Sequence, residues 1–376
     1  MKKLRLAILP ALLTPFFFFT TMDEELPAQK TPPPVYNDGP YVYSANEKLF
    51  VTYITEENGQ KAVLTDSGAL SGRAGKILAV NTDEPGKTFN VELKKNISDE
   101  KAEYKMPSKL LVISDIEGNF SGFRKLLQAN KVIDANYNWI FGDGHLLLGG
   151  DFVDRGDQVT EVLWLIYSLE EKAKKAGGYV HYVLGNHEIM NMSGDLRYLH
   201  AKYVENAKLM NQHFVSLYGK NSELGRWLRS KNIMEKIGDQ VFVHAGISPN
   251  VTQMDFDIKD INNKSRGFYD DSLYVYPDPR IDTLYSDMGP FWFRGYYVKP
   301  DSAIDLQIAE TLKKYRVSHV VTGHTVVADT VSMWYGGRVF NTDVHHAKGH
   351  SEALLIEGKS YYRCDAQGNR KLLKKD

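Results

Sequence analysis

Leu146-Leu147-Leu148-Gly149-Gly150-Asp151-Phe152-Val153-Asp154-Arg155-Gly156 decides the fold. Three consecutive leucines suit a short strand buried on both faces. Two glycines then turn the chain straight into two aspartates and an arginine. A helix is predicted from Val162 to Lys174. So many charges in five residues make poor chemistry for a plain turn, because like charges repel unless cations sit between them. A strand that delivers carboxylates at its C-terminal end and then enters a helix is where open α/β sheets carry their sites.

Four further blocks repeat the pattern. Leu110 to Ile113 exits into Ser114-Asp115-Ile116-Glu117-Gly118-Asn119, ahead of a helix marked by Phe123, Leu126 and Leu127. Tyr179 to Leu184 exits into Gly185-Asn186-His187-Glu188. Val241 to Val243 runs into His244-Ala245-Gly246, and Val320 to Thr322 into Gly323-His324-Thr325. A lone histidine at such a turn is more often a satisfied structural residue than a ligand. Five exits carrying Asp, Asp, Asn, His and His, brought to one sheet edge, would form a nearly complete oxygen and nitrogen shell for two metal ions.

These blocks resemble the calcineurin-like metallophosphoesterases, and among them the phosphoprotein phosphatases. The finer resemblance is to the Shewanella-like branch, carried by Leu184-Gly185-Asn186-His187-Glu188-Ile189-Met190-Asn191-Met192-Ser193-Gly194-Asp195-Leu196-Arg197-Tyr198. Gly225-Arg226-Trp227-Leu228-Arg229, Gly289-Pro290-Phe291-Trp292-Phe293-Arg294 and Gly323-His324-Thr325 add to it. The likeness spans roughly Ser108 to Lys359. It implies an α/β fold, a β-sandwich flanked by helices, with a small N-terminal β-rich extension added here. It implies a phosphomonoesterase using two divalent metal ions, Mn foremost and Fe, Zn or Mg as alternatives, with a metal-bridging hydroxide as nucleophile. Asp115, Glu117, Asp151, Asn186, His244 and His324 would be the metal ligands. His187 would protonate the leaving group, oriented by Asp154, while Arg155 and Arg294 would grip the phosphate. Glu117 departs from the family, which has His there; a carboxylate favours harder cations such as Mn over Zn.

The substrate reading stays open between a phosphorylated protein, with phosphotyrosine ahead of phosphoserine and phosphothreonine, and a small phosphoester such as diadenosine tetraphosphate. An exported, non-catalytic binding module on the same scaffold is the remaining rival. Arg197 and Tyr198 are candidates for the cleft. Phe291 to Tyr297 suits either aromatic stacking on phosphotyrosine or core packing. The segment from Asp195 to Tyr218 reads as helical. His345, His346 and His350 read as a loop near the cleft without an assigned role.

Composition bounds the rest. The chain has 376 residues and a formal net charge of -1, which argues against nucleic acid as a partner. With 43% hydrophobic residues it can bury a substantial core. Its single cysteine, Cys364, excludes an intrachain disulfide framework and a cysteine-rich metal module. Residues 1–22, with Lys2, Lys3 and Arg5 before an apolar run, read as a signal peptide or N-terminal anchor. Export to the periplasm or another extracytoplasmic space follows, with membrane contact only if this segment is retained. Residues 23–44 read as a proline-rich linker, 45–105 as the β-rich extension and 106–376 as the catalytic domain.

Overall fold

The computed structural model describes residues 36–298 and 302–376. The signal reading and most of the linker lie outside the described residues. In chain order the strands are β1 (Tyr36–Ala45), β2 (Lys48–Glu57), β3 (Gln60–Ala69), β4 (Ile77–Asn81), β5 (Thr88–Glu92), β6 (Glu103–Tyr104), β7 (Lys109–Ile113), β8 (His145–Leu148), β9 (Tyr179–Tyr182), β10 (Met234–Ile237), β11 (Gln240–Val243), β12 (His319–Thr322), β13 (Ser332–Trp334), β14 (Val339–Asn341), β15 (Glu352–Glu357), β16 (Ser360–Asp365) and β17 (Arg370–Lys375).

Two six-stranded sheets make the sandwich expected from the sequence, ordered β17-β16-β15-β7-β8-β9 and β13-β14-β12-β11-β10-β6. Side chains alternate between faces along a strand, so each apolar run serves two cores. Leu110, Val112, Leu147, Leu354 and Ile356 face Ile237, Phe242, Val321 and Phe340 between the sheets. Leu111, Ile113, Leu146 and Leu148 point the other way, into the larger core shared with the helices Phe120–Ala129 and Val159–Lys175. Strands β7, β8 and β9 are parallel, as are β11, β12 and β14. Parallel neighbours bring their C-terminal exits to one edge, which is how residues distant in sequence meet.

The segment read as helical from Asp195 to Tyr218 is broken. It holds the helix Ala201–Leu209 and a 3-10 turn, Phe214–Tyr218. His200 caps the helix, its Nδ1 accepting from the Lys202 amide at 3.3 Å.

Ahead of the sandwich, β1-β2-β3 form an antiparallel meander and β4-β5 a hairpin. Asn58-Gly59, both left-handed, close the β2–β3 hairpin in the two-residue loop expected of that pair. β1 begins at Tyr36, inside the stretch read as linker. Pro40 is tolerated because β1 is an edge strand and its register shifts between Asp38 and Tyr41.

Buried ion pairs tie these strands to the sandwich. Arg73 donates to both oxygens of Glu223, at 3.0 and 2.8 Å, and the Tyr167 hydroxyl donates to the same carboxylate at 2.7 Å. Glu170 pairs with Lys94 from the segment after β5, and accepts from Lys231 at 2.7 Å and the Trp227 indole at 2.9 Å. Removing one member of such a network strands the others without a partner. Glu170→Ala should therefore cost about 3–5 kcal/mol in urea denaturation. Lys61→Ala, which breaks a solvent-exposed pair with Glu205, should cost no more than about 1 kcal/mol. Equal losses for the two variants would contradict this account.

Candidate active site

Five of the strand exits singled out in the sequence converge, joined by a sixth. Asp151 lies at the centre. Its Oδ2 stands 3.1 Å from His244 Nε2 and 3.8 Å from His187 Nε2, while its Oδ1 accepts from the His187 amide at 3.0 Å. His244 Nε2 also meets Asn186 Oδ1 at 3.0 Å, and its Nδ1 meets the Gly149 carbonyl at 2.8 Å. Asp115 accepts from the His324 amide through both carboxylate oxygens at 3.1 Å. Donor atoms of Asp151, His244 and His324 fall within 4.8 Å of one another, as do those of Glu117, Asp151 and His187.

His187 Nδ1 donates to Asp154 Oδ2 at 2.7 Å, and the Asn191 amide holds Asp154 Oδ1 at 2.7 Å. That pairing leaves Nε2 as the free nitrogen of the ring. Arg155 forms an ion pair with Glu117, whose carboxylate also belongs to the donor group with Asp151 and His187. Arg294 donates to the His324 carbonyl and the Thr325 hydroxyl, both at 3.0 Å.

Electrostatics follow from this crowding. Burial and the neighbouring Asp151 raise the Asp115 carboxyl to about 6, against the pull of His244. Burial opposes ionisation of Asp151 too, yet His244 and His187 hold it well below the carboxylate range. Burial would depress His244, but Asp151 and Asp115 lift it to about 10. His187 is raised despite burial by Asp151 and Asp154. His324 is depressed by burial and by His244, and its Nε2 is buried without a hydrogen-bond partner.

The backbone is as constrained as the charges. Asp115, Glu117, Asp151, Asp154, Arg155 and His324 all have φ between 50° and 68°, a left-handed region that costs non-glycine residues of order 1 kcal/mol or more each. Gly150 (φ 91°) and Gly323 permit the close approach. A Cβ on the first would lie 2.6 Å from the Gly185 amide and His244 Nδ1, and one on the second would run into Asp115.

A cleft of about 480 Å³ opens over these groups. Sequence reading placed Arg197 and Tyr198 together as candidates, and the structure separates them. Tyr198 lines the cleft, its ring 5.0 Å from that of His187 and 5.2 Å from the Arg155 guanidinium. Arg197 instead turns to Asp195. Of the stretch Phe291 to Tyr297, Phe291, Phe293, Tyr296 and Tyr297 are core, and Trp292 reaches the cleft beside Arg294. His345 and His346 also line it, while His350 pairs with Glu352. Neither ring nitrogen of His346 has a hydrogen-bond partner by geometry, and burial pushes its imidazole down to about 4, against the Ser114 backbone. Asp343 lines the cleft as well and was missed in the sequence. Its signal is a sixth exit, Val339-Phe340-Asn341-Thr342-Asp343, whose strand is only three residues long. Burial pushes the Cys364 thiol up to about 12, and it lies in β16, away from the cleft.

The calcineurin-like phosphoesterase model matches residues 108–328, which include all of the exits except that of β14. The chain belongs to the calcineurin-like phosphoesterase family. It is a metal-dependent phosphatase hydrolase. A cold-active protein-tyrosine phosphatase of a psychrophilic Shewanella superposes with a TM-score of 0.81 at 33% identity, over 90% of this chain and 99% of that one. Shewanella-like protein phosphatase 1 of Plasmodium berghei is 28% identical over 233 residues, covering 59% of this chain and 62% of its own length. A symmetrical bis(5'-nucleosyl)-tetraphosphatase of Buchnera aphidicola is 35% identical over 142 residues, 36% of this chain and 44% of that protein. Members of the calcineurin-like family use divalent metals, and the two donor groups around Asp151 are where this chain could hold them.

Metal-free protein should show the charge crowding as a pH dependence. A histidine raised from about 6.5 to about 10 stabilises the fold fully below pH 6.5, and that stabilisation is lost as pH rises to 10. Urea midpoints measured in chelator should therefore fall between pH 7 and 9. With saturating Mn the fall should shrink, since a ligating imidazole is neutral in any case. A midpoint in chelator that stays flat or rises would contradict the His244 assignment.

Proposed function

We propose that the chain hydrolyses phosphate monoesters on proteins, with phosphotyrosine favoured, and that it works with two divalent cations, Mn foremost. The observation that carries this is the His187–Asp154 pair standing beside Asp151, His244 and His324 under a cleft bordered by Arg155 and Arg294. The residues fit divalent cations. Buried carboxylates of Asp115 and Asp151 lie together, and His324 Nε2 is a buried nitrogen with nothing to bind. Such groups need a cation or a proton to offset their burial. Asp115 and Asp151 would hold one cation. Asp151, Asn186, His244 and His324 would hold the other. The wealth of carboxylates supports a hard cation such as Mn over Zn. When bound, the cations supply Lewis acidity, which activates water and neutralises charge on the phosphoryl oxygens.

The chain's own residues do the rest. Arg155 and Arg294 bind phosphoryl oxygens and orient the ester. Arg155 exchanges its Glu117 partner for the phosphate as it does so. Asp154 fixes the His187 ring through Nδ1, leaving Nε2 to deliver a proton to the leaving oxygen. Burial disfavours the charged ring, but Asp151 and Asp154 raise its pKa and so favour the proton-bearing form. Tyr198 and Trp292 border the cleft with aromatic surface suited to a phenyl ring. The likeness to the Shewanella tyrosine phosphatase supports phosphotyrosine. The partial likeness to the Buchnera tetraphosphatase supports a small phosphoester as second reading. The reading of residues 1–22 as an export signal supports an extracytoplasmic location.

Assay of the Mn-loaded chain on a phosphotyrosine peptide, a phosphoserine peptide and diadenosine tetraphosphate separates these readings. The expected order places phosphotyrosine first. Preference for the dinucleotide would make the second reading the correct one. His187→Asn should lower kcat on a poor leaving group by about 10²–10⁴ with metal content unchanged. Asp151→Asn should lose metal as well as activity. A His187→Asn enzyme at full rate would remove His187 from the proton-transfer role.

A further inference from the structure

We infer that Leu273, Tyr274 and Val275 form a docking surface for the polypeptide that carries the phosphate, receiving apolar side chains about three residues from the phosphorylated one. The inference rests on the protein-phosphatase reading and names what that substrate presents beside the cleft. Three observations lead to it.

The first is exposure. Leu273, Tyr274 and Val275 are 78%, 50% and 72% exposed, and among the described residues no other three consecutive large apolar side chains are exposed in this way. Scattered apolar residues at a surface are ordinary, whereas a contiguous group marks an interaction site.

The second is that the loop is held in this position. The Leu273 amide donates to Asp271 Oδ1 at 2.9 Å. Tyr276, next after the exposed residues, stacks on Tyr285 with ring centres 4.9 Å apart and meets Phe268 edge-on at 5.6 Å. Tyr274 has φ 52°, a left-handed backbone that a bulky residue rarely adopts. Strain of this kind persists only where surrounding contacts impose it, and it gathers at functional sites. An anchored loop that presents three apolar side chains loses little conformational freedom when they are covered.

The third is continuity with the cleft. The hydroxyl oxygens of Tyr274 and Ser193 are 3.1 Å apart. Ser193 ends the helix Asn186–Ser193, whose first two residues are Asn186 and His187 of the site. From His187 to Ser193 that helix rises about 9 Å, at about 1.5 Å per residue. Residues 194–198 then lead back, with Leu196 and Tyr198 exposed and Tyr198 lining the cleft. The charge of Arg197 within this strip is already matched by Asp195 at 2.7 Å, and its guanidinium lies 5.7 Å from the Tyr198 ring centre. An extended peptide advances about 3.3 Å per residue, so the same span is about three residues of substrate. A small phosphoester ends within the cleft, whereas a polypeptide continues across this strip.

The test uses the Mn-loaded full chain and two phosphotyrosine peptides, identical except for leucine or serine at the third residue on each side of the phosphotyrosine. The wild-type chain should favour the leucine peptide by about tenfold in kcat/KM, through KM. In Leu273→Ser/Val275→Ser that preference should disappear. In Ile77→Ser, which removes a similarly exposed apolar side chain from β4, it should be kept. Each ratio is taken within one preparation, so misfolded protein does not move it. A wild-type chain without the preference would overturn the inference alone. So would a preference kept in full by the loop variant, or lost equally in Ile77→Ser. Hydrolysis of diadenosine tetraphosphate and of neither peptide would overturn the protein-phosphatase reading and the docking surface with it.

Discussion

One buried carboxylate holds the site's loops together. Glu188 is fully enclosed, and its two oxygens accept from the amides of Asp151, Phe152 and Gly185, at 2.9, 2.8 and 2.7 Å, and from the Tyr182 hydroxyl at 3.0 Å. Those donors belong to the exits of β8 and β9 and to the end of β9 itself, so one side chain ties the two exits together. The bonds satisfy backbone amides that a turn between parallel strands would leave unpaired. They also fix the angle at which Asp151 leaves its strand. The side chains that contact Asp151, those of His187 and His244, inherit that angle, and Asn186 follows through His244.

The arrangement is unfavourable taken residue by residue. Six non-glycine residues sit in the left-handed region, and buried carboxylates crowd together. The sandwich behind them, with its two apolar layers, supplies the stability that lets the strain persist. His244 supplies part of the compensation as a charged partner in the metal-free chain. A cation would replace that role and free the ring as a neutral ligand. The same set of groups is therefore poor as structure and good as a metal site, which is the usual mark of a functional centre.

Most of this was legible in the sequence where an apolar run ended in glycine and a ligand-type residue. Asp115, Asp151, Asn186, His244 and His324 were found that way, and the structure brings them together. Asp343 escaped because β14 has three residues and its exit carries no glycine. Tyr198 and Trp292 could not be sorted from their neighbours, since facing a cleft or a core depends on packing that adjacent sequence does not encode. The start of β1 escaped because prolines read as a linker, whereas one proline at a register shift of an edge strand is compatible with pairing. The break between Asp195 and Ala201 escaped for a different reason. Those residues answer to the Asp154–Arg155 loop, where the Arg155 amide donates to the Tyr198 carbonyl at 3.0 Å.

Glu117 shows how a carboxylate can be read two ways and why geometry must decide. By residue type it is a metal ligand as good as the histidine it replaces. By contact it is the partner of Arg155, and a guanidinium cannot serve a carboxylate and a phosphate with the same donors at once. A donor atom of Glu117 also lies within 4.8 Å of those of Asp151 and His187, so a Glu117 released by Arg155 would be placed to serve a cation.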